Sequence, residues 1–189
     1  SLERQAERFL QAVGQLPRRP ALLHVANSAA AMRGPQYGFD LIRPGVFLYG
    51  GSPGPGLAAP MPVVSLRARV LAVRRVAAGE SVSYGGLWTA PAATRVATLG
   101  IGYADGVRRS LGASGRGSVL LGGARCPMVG AVTMDLTMVE IGDRPVTVGD
   151  VATLIGEAQG NGITLEEYAG WGEELHREVL TSLGARLPR

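Results

Sequence analysis

Residues 117–130, GSVLLGGARCPMVG, indicate the fold of the larger part of the chain. Two short apolar runs flank the pair Gly122 and Gly123. A glycine pair between β-like runs is typical of a two-residue hairpin turn, whose central positions favour positive φ angles. The stretch therefore predicts a tight antiparallel hairpin.

Further strand-like segments lie on both sides of this hairpin. Several short strands at turn-separated spacing are typical of a small barrel or a sandwich. We therefore expect a mainly β domain over residues 57–189. Its other strand-like segments are VVSLRARVLAVRRV (63–76), GESVSYGGLW (79–88), ATLGIGY (97–103) and AVTMDLTMVEI (131–141), which alternates clearly.

A helix is predicted in the last part of this domain, near residues 164–184. In the segment ITLEEY, Thr164 can act as the N-cap and Glu167 as its reciprocal partner in a capping box. Ile163 and Tyr168 are placed to form the accompanying hydrophobic staple.

The first 51 residues follow a different pattern. A helix with one apolar face begins the sequence and ends at Gly14, and an apolar strand follows from Ala21 to Ala26. Asn27 and Ser28 can cap a small-residue helix, and a second apolar run, LIRPGVFLYGG, comes next. This alternation is typical of parallel α/β folds. We interpret residues 1–51 as the end of a larger (β/α) barrel.

The boundary between the two parts is predicted at the Pro/Gly-rich stretch from Ser52 to Gly56.

Composition limits the possible functions. All 19 basic side chains are arginine, so an amine nucleophile or a Schiff-base lysine must come from outside these residues. The net charge is +4 without a basic run, which argues against nucleic-acid binding. No apolar run approaches the ~20 residues of a membrane span, and the first residues lack the features of a signal peptide. With the single cysteine, Cys126, these features predict a soluble cytoplasmic protein.

Three polar residues are candidates for chemistry, each with an ordinary alternative. Tyr84 lies beside two glycines in VSYGG, where tyrosine usually serves packing. Ser28 follows a predicted strand and begins a helix, where a hydroxyl and backbone N–H groups suit a phosphate, although most such serines are caps. Arg43 interrupts an apolar run, so it must be paired or functional if it is buried, and the alternative is an exposed strand end.

Five motifs occur in order along almost the whole chain: HVANSAA (24–30), RPGVFLYG (43–50), VSYGG (82–86), IGYADG (101–106) and GAVTMDLTMVEIG (130–142). Together they resemble the alanine racemase family. The resemblance implies a (β/α) barrel that carries pyridoxal 5′-phosphate on a lysine, followed by a mostly β domain, here a small β-barrel. It also implies a homodimer with active sites shared between subunits. Such enzymes interconvert L- and D-alanine and make D-alanine for peptidoglycan.

The resemblance assigns the catalytic role to Tyr84. Racemisation removes the α-proton on one face and returns a proton on the other, so two bases are needed. One is the barrel lysine, and Tyr84 matches the other, which acts in the active site of the partner subunit. Gly85 and Gly86 would let the backbone approach closely.

The resemblance also implies cofactor and substrate contacts. Arg43 matches the arginine that faces the pyridine nitrogen, and Ser28 with the backbone at Gly45 and Val46 matches the phosphate site. His24 either orients Arg43 or is a core histidine bonded to a carbonyl. Tyr103 and Asp105 match the residues that line the substrate entrance. Met134 and Asp135 match the segment whose backbone N–H donates to the substrate carboxylate. No metal is implied.

The chain departs from the family pattern at important positions. The cofactor lysine and the barrel arginine and histidine have no counterpart. Ala185 stands where some members have a phosphate-binding tyrosine, and Thr133 replaces a cysteine of some members. We therefore interpret the chain as the C-terminal portion of a racemase, inactive alone. Alternatives are a non-catalytic β module for dimerisation and, within the family, a serine or broad-specificity racemase.

Overall fold

The computed structural model describes residues 1–188 and divides into two compact units, Ser1–Val63 and Val64–Arg189. Within the described residues, no helix combines the length and apolar character that crossing a membrane requires.

The first unit contains three helices. They are α1 (Leu2–Gly14), α2 (Ser28–Arg33) and α3 (Gly45–Leu48), with a short 3-10 turn at Pro35–Tyr37. The predicted first helix ends at Gly14, as its sequence indicates. The unit has a small core in which Ala26, Ala30 and Tyr37 are buried, and the Tyr37 hydroxyl donates to Glu3 Oε1 at 3.2 Å.

The predicted strand from Ala21 to Ala26 does not form. A single parallel bridge joins Asn27 to Arg43, and the Arg43 N–H donates to Ala26 O at 2.9 Å. A strand persists only where a neighbour continues the ladder, and here Pro44 has no N–H to donate. The second apolar run accordingly turns into α3 directly after this bridge.

The second unit is mainly β, which confirms the predicted fold class. Its elements are β1 (Leu66–Val76), β2 (Ser81–Val82), β3 (Trp88–Thr89), β4 (Thr94–Leu99), α4 (Ser110–Ala113), β5 (Ser118–Leu121), β6 (Ala124–Pro127), β7 (Thr137–Glu140), β8 (Val151–Ala158), β9 (Asn161–Ile163), α5 (Leu165–Trp171) and α6 (His176–Ser182).

The main sheet closes into a small barrel. Its strand order is β6-β5-β8-β1-β4-β7, with β9 added beside β8, and neighbouring strands are antiparallel. The last strand returns to the first through a bridge between Met128 and Val139, next to which the Val129 N–H donates to Met138 O at 2.9 Å. Closure removes free strand edges and encloses the core. Buried members of this core include Val70, Leu99, Val119, Met128, Val139 and Leu154.

The hairpin predicted from residues 117–130 is present. Leu121 pairs with Ala124, and the two glycines between them have φ angles of +58° and +78°. Both values lie in the left-handed region that a two-residue turn of this kind requires.

The predicted helix near 164–184 is two helices rather than one. Thr164 is the N-cap of α5, since its Oγ1 accepts from the Glu167 N–H at 3.1 Å. Helix α5 ends at Trp171 with Gly172 as its C-cap, after which Glu173 has a φ of +57°. Leu175 is the N-cap residue of α6, and its N–H donates to the Glu178 carboxylate at 2.7 Å. A left-handed residue just after the C-cap is a common helix stop, so Glu173 explains the interruption.

The Glu167 carboxylate also binds a residue outside α5. It accepts from Arg125 at 2.5 and 3.1 Å. The pKa of Glu167 is lowered, first by this hydrogen bond and to a smaller extent by the backbone of Thr164. The side chain therefore joins α5 to the hairpin strand β6.

Candidate active site

Tyr84 lies in a 3-10 turn, Tyr84–Gly86, between the short strands β2 and β3 rather than within a strand. Its side chain is not packed in the core, because the residue is 75% exposed. The ordinary packing interpretation of this tyrosine is therefore wrong.

The residue before Tyr84 has an unusual backbone conformation. Ser83 has φ +68° and ψ 178°, a region that residues with a Cβ rarely occupy and that costs about 1–3 kcal/mol. Its Oγ donates to Ala131 O at 2.6 Å. A Cβ on Gly130 would lie 2.7 Å from Val82 O, so the chain passes closely beneath the turn. These contacts hold the turn that presents Tyr84.

Gly85 and Gly86 have φ angles of +73° and +56°. A Cβ at either position would meet neighbouring atoms of this chain at 3.5 Å or more, which is ordinary contact. Within this chain the two glycines are therefore explained by their backbone angles, and close approach to a partner subunit stays a prediction.

Tyr103 and Met134 lie on two loops that are bonded backbone to backbone. Thr133 O accepts from the Tyr103 N–H at 2.9 Å, and Met134 O accepts from the Ala104 N–H at 3.0 Å. A Cβ on Gly102 would lie 2.3 Å from Thr133 O, so only glycine fits. The predicted strand over 131–141 begins only at Thr137, since the preceding residues form this loop.

The two aspartates of these loops have different surroundings. Asp105, predicted at the substrate entrance, is buried and its Oδ2 accepts from the Gly102 N–H at 3.0 Å. Asp135, predicted to contact substrate, is half exposed, and its carboxylate accepts from Arg186 at 2.6 Å.

One cavity of about 880 Å³ brings the predicted residues of this unit together. Tyr84, Tyr103, Met134 and Asp135 line it, although they come from three separate segments of the sequence. Arg109 lines it as well and was missed, because in the sequence it is only one of a pair of arginines. Asp135 carries the opposite charge to Arg109 but is paired with Arg186, so Arg109 can attract anions to the cavity.

Met134 and Asp135 leave backbone donors available. Thr133 and Leu136 bond to each other across this loop, through Thr133 N–H to Leu136 O at 2.9 Å and Leu136 N–H to Thr133 Oγ1 at 3.1 Å. Among residues 1–188, the structure contains no acceptor for the N–H of Met134. A carboxylate in the cavity can accept from such a donor.

The predicted phosphate residues lie together in the first unit. Asn27, not Ser28, is the N-cap of α2, since its Oδ1 accepts from the Ala30 N–H at 3.1 Å. Ser28 is buried, and its Oγ accepts from the Phe47 N–H at 3.4 Å, which joins the first turns of α2 and α3. The ordinary capping role is therefore excluded for Ser28.

The first turn of α3 can receive an anion. It has no side-chain cap, and the Gly45 N–H bonds to Arg43 O at 3.0 Å. In the part of the chain that the structure describes, the Val46 N–H has no acceptor, and a Cβ on Gly45 would meet open space. A hydroxyl hydrogen on Ser28 and a free N–H on Val46 are donors that fit a phosphate group.

Arg43 and His24 are both exposed. The Arg43 guanidinium donates to Val25 O at 3.1 Å, which leaves its other N–H groups available. No hydrogen bond joins His24 to Arg43 within residues 1–188. Within this chain His24 is exposed and not in a core, and its role beside Arg43 stays a prediction.

Comparisons with known proteins identify relatives for both units. The family model for the alanine racemase C-terminal domain matches residues 63–189, and the model for the alanine racemase N-terminal domain matches residues 1–53. The chain is 42% identical to an alanine racemase of Symbiobacterium thermophilum and 43% identical to one of Mycobacterium tuberculosis. Each match covers 98% of this chain and 50% of the relative.

Solved structures give the same result. The alanine racemase of Streptomyces coelicolor A3(2) matches with a TM-score of 0.91 and 34% identity, over 100% of this chain and 51% of its own. The alanine racemase of Bartonella henselae, solved with covalently bound pyridoxal phosphate, matches with a TM-score of 0.82 and 34% identity. This match covers 99% of this chain and 51% of the Bartonella chain. The chain thus spans about half the length of the relatives that it matches.

Proposed function

Since the chain belongs to the alanine racemase family, we propose that it forms the C-terminal half of a pyridoxal-phosphate-dependent enzyme that interconverts L- and D-alanine. The observation that carries this proposal is the cavity lined together by Tyr84, Tyr103, Met134 and Arg109. It offers a phenol, a cation and an unpaired backbone donor at one place, which is what an amino-acid racemase needs from this domain.

Tyr84 would act as one of the two bases. Its phenolate oxygen would accept the α-proton from one face of alanine, and the resulting hydroxyl would return a proton to that face. The chain contains no lysine, so the opposite base must belong to sequence outside it. Pyridoxal phosphate, when bound, supplies the electron sink that makes the α-proton removable.

Residues of the first unit would hold the cofactor. The Ser28 hydroxyl and the Val46 N–H would donate to its phosphate, and Gly45 leaves room beside them. Arg43 would donate to the pyridine nitrogen. Because a guanidinium keeps its proton, the ring nitrogen would stay unprotonated, which would limit charge delocalisation and side reactions such as transamination.

The second unit would bind the substrate. The carboxylate of alanine would accept from the Met134 N–H, attracted by the charge of Arg109. Tyr103 would line the entrance. The Bacillus anthracis relative, solved with bound L-Ala-P, has 33% identity and a TM-score of 0.90 to this chain, which favours alanine over serine as the substrate tested first.

We further infer a homodimer with shared active sites. A base must contact its substrate in a site that excludes water, whereas Tyr84 is largely exposed in the single chain. Coverage by the partner subunit would complete the site. The buried thiol of Cys126 suits a reducing compartment, so we place the enzyme in the cytoplasm, where D-alanine for peptidoglycan would be made.

A non-catalytic module for dimerisation is the second candidate, favoured by the absence of lysine from the chain. Racemisation assays on the full-length protein with pyridoxal phosphate distinguish the two. The proposal expects D-alanine to form from L-alanine, and slower conversion of serine. No conversion of either amino acid would favour the module.

Arg43→Glu in the full-length protein tests the cofactor contact. A carboxylate there would accept a hydrogen bond from a protonated ring nitrogen, whereas the guanidinium donates to an unprotonated one. We therefore expect racemisation to slow by about tenfold or more and the absorbance of the bound cofactor to shift. The control is Arg18→Glu, an equal change of charge at an exposed position of the same unit. An unchanged cofactor spectrum in Arg43→Glu would mean that Arg43 does not face the ring.

A further inference from the structure

The segment that follows α6 is bonded to the loop that carries Tyr103. Ser182 Oγ donates to Gly106 O at 3.3 Å, and the Gly184 N–H donates to Asp105 O at 3.3 Å. A Cβ on Gly106 would lie 2.5 Å from Ser182 O, so the two segments are in close contact. The segment after α6 is therefore packed against the loop that carries Tyr103.

Arg186 extends this contact to the second loop. Its Nε lies 3.3 Å from Asp105 Oδ1, and its Nη2 lies 2.6 Å from Asp135 Oδ1. The second Asp105 oxygen accepts from the Gly102 N–H. One guanidinium thus joins the loop before Gly106 to the loop that contains Met134, and the hydrogen bond that Arg186 donates to Asp135 raises the pKa of Arg186.

We propose that Arg186 is a positioning residue for the substrate carboxylate: it holds the Met134 segment beside Tyr103 and neutralises Asp105 and Asp135 there. The inference rests on the proposed function, since it assumes that a carboxylate binds at Met134. Arg186 lines a neighbouring cavity with both aspartates, not the cavity of Tyr84, so it acts through the loops.

The charge argument concerns the two aspartates. Asp135 follows the proposed carboxylate donor directly, and Asp105 is buried beneath the neighbouring loop. Without a counter-charge, two carboxylates would repel an anionic substrate group. The Asp135 and Arg186 side chains are 56% and 53% exposed, so this effect is partly screened and should weaken with salt.

The mechanical argument concerns the loops themselves. Two backbone hydrogen bonds join the loops, and Arg186 forms an ion pair with one aspartate on each loop. Asp105 is the stronger anchor because its side chain is only 9% exposed, and a buried carboxylate without its cation is costly. Removing the guanidinium should loosen the position of the Met134 N–H without changing the bases.

The test uses Arg186→Gln and Arg186→Lys in the full-length protein. The matched control is Arg116→Gln, because Arg116 forms an exposed ion pair of the same 2.6 Å length with Glu173 outside the cavity. For Arg186→Gln we expect the KM for alanine to rise about tenfold, with kcat within about twofold. Arg186→Lys should restore part of the lost affinity for alanine, and high salt should reduce the difference in KM between Arg186→Gln and the unsubstituted protein. Arg116→Gln should have the same KM as the unsubstituted protein.

Two further measurements separate charge from loop order. In Arg186→Gln, amide hydrogen exchange should accelerate at residues 102–106 and 133–136, but not in Arg116→Gln. Adding Asp135→Asn to Arg186→Gln removes one of the two uncompensated carboxylates, so the KM should fall part of the way towards its original value. This double variant also tests the charge argument if Arg186→Gln alone folds poorly.

A KM within about twofold of the original in Arg186→Gln would overturn the positioning role, as would a loss confined to kcat. Unchanged amide exchange in both loops would overturn the loop coupling. If the unsubstituted full-length protein racemises no amino acid, the proposed function fails and the carboxylate role fails with it. The exchange experiment does not depend on activity and still decides whether Arg186 orders the loops.

Discussion

Tyr84→Phe in the full-length protein should retain pyridoxal phosphate but lose most of the proposed racemase activity, by about 10²- to 10⁴-fold. The substitution removes only the hydroxyl oxygen that would accept and return the α-proton. Since Tyr84 is 75% exposed in the chain, removing its hydroxyl should not change folding. Racemisation rates from each enantiomer, with the cofactor absorbance and the thermal midpoint as controls, measure this outcome.

The two directions of the reaction should suffer unequally. Tyr84 would serve one face of the substrate, and the base outside this chain would serve the other. Exchange of the α-proton with solvent deuterium should therefore fall much more for one enantiomer than for the other. An equal loss for both enantiomers, or nearly normal racemisation, would contradict the role of Tyr84 as one base of two.

Gly102→Ala should be the most damaging small substitution in the second unit. The added Cβ would lie 2.3 Å from Thr133 O and 2.4 Å from Met134 O, and backbone atoms cannot move aside as a flexible side chain can. Either the loops separate, with loss of their two hydrogen bonds, or the local fold fails. We expect a loss of about 3–5 kcal/mol in the free energy of unfolding and of alanine binding.

A glycine without such a neighbour provides the control. Gly170 lies inside α5, and a Cβ there would meet nothing within 4 Å. Gly170→Ala should be neutral or more stable by up to about 1 kcal/mol. Denaturant or thermal unfolding of both variants measures the contrast. Equal stability of Gly102→Ala and Gly170→Ala would show that the loops are not packed as closely as described.

Local sequence patterns predicted the elements that local chemistry determines. The hairpin at Gly122 and Gly123 needs two positive φ angles, and the N-cap of α5 needs a hydroxyl, so both are visible in short segments. The segment from Ala21 to Ala26 is different, because a strand depends on partners distant in sequence. The break between α5 and α6 depends on Glu173 adopting a left-handed conformation, which its residue type does not indicate.

The candidate site could be predicted only in part. Tyr84, Tyr103 and Met134 belong to motifs that resemble a known family, and the structure places them around one cavity. Arg109 and Arg186 belong to a sequence with 19 basic residues, where no pattern separates a site arginine from a surface one. Their positions depend on the loop before α4 and on the segment after α6, which only the folded chain brings to the loops.

If this chain supplies one base while the cofactor lysine lies outside it, the chain by itself cannot racemise alanine. The most direct measurement is made on the purified chain of 189 residues mixed with pyridoxal phosphate and alanine. We expect no borohydride-reducible cofactor adduct on a side-chain amine and no measurable racemisation, because the chain has no lysine. Racemisation by this chain at a rate comparable to a full-length enzyme would contradict the assignment of the essential second base to sequence outside it.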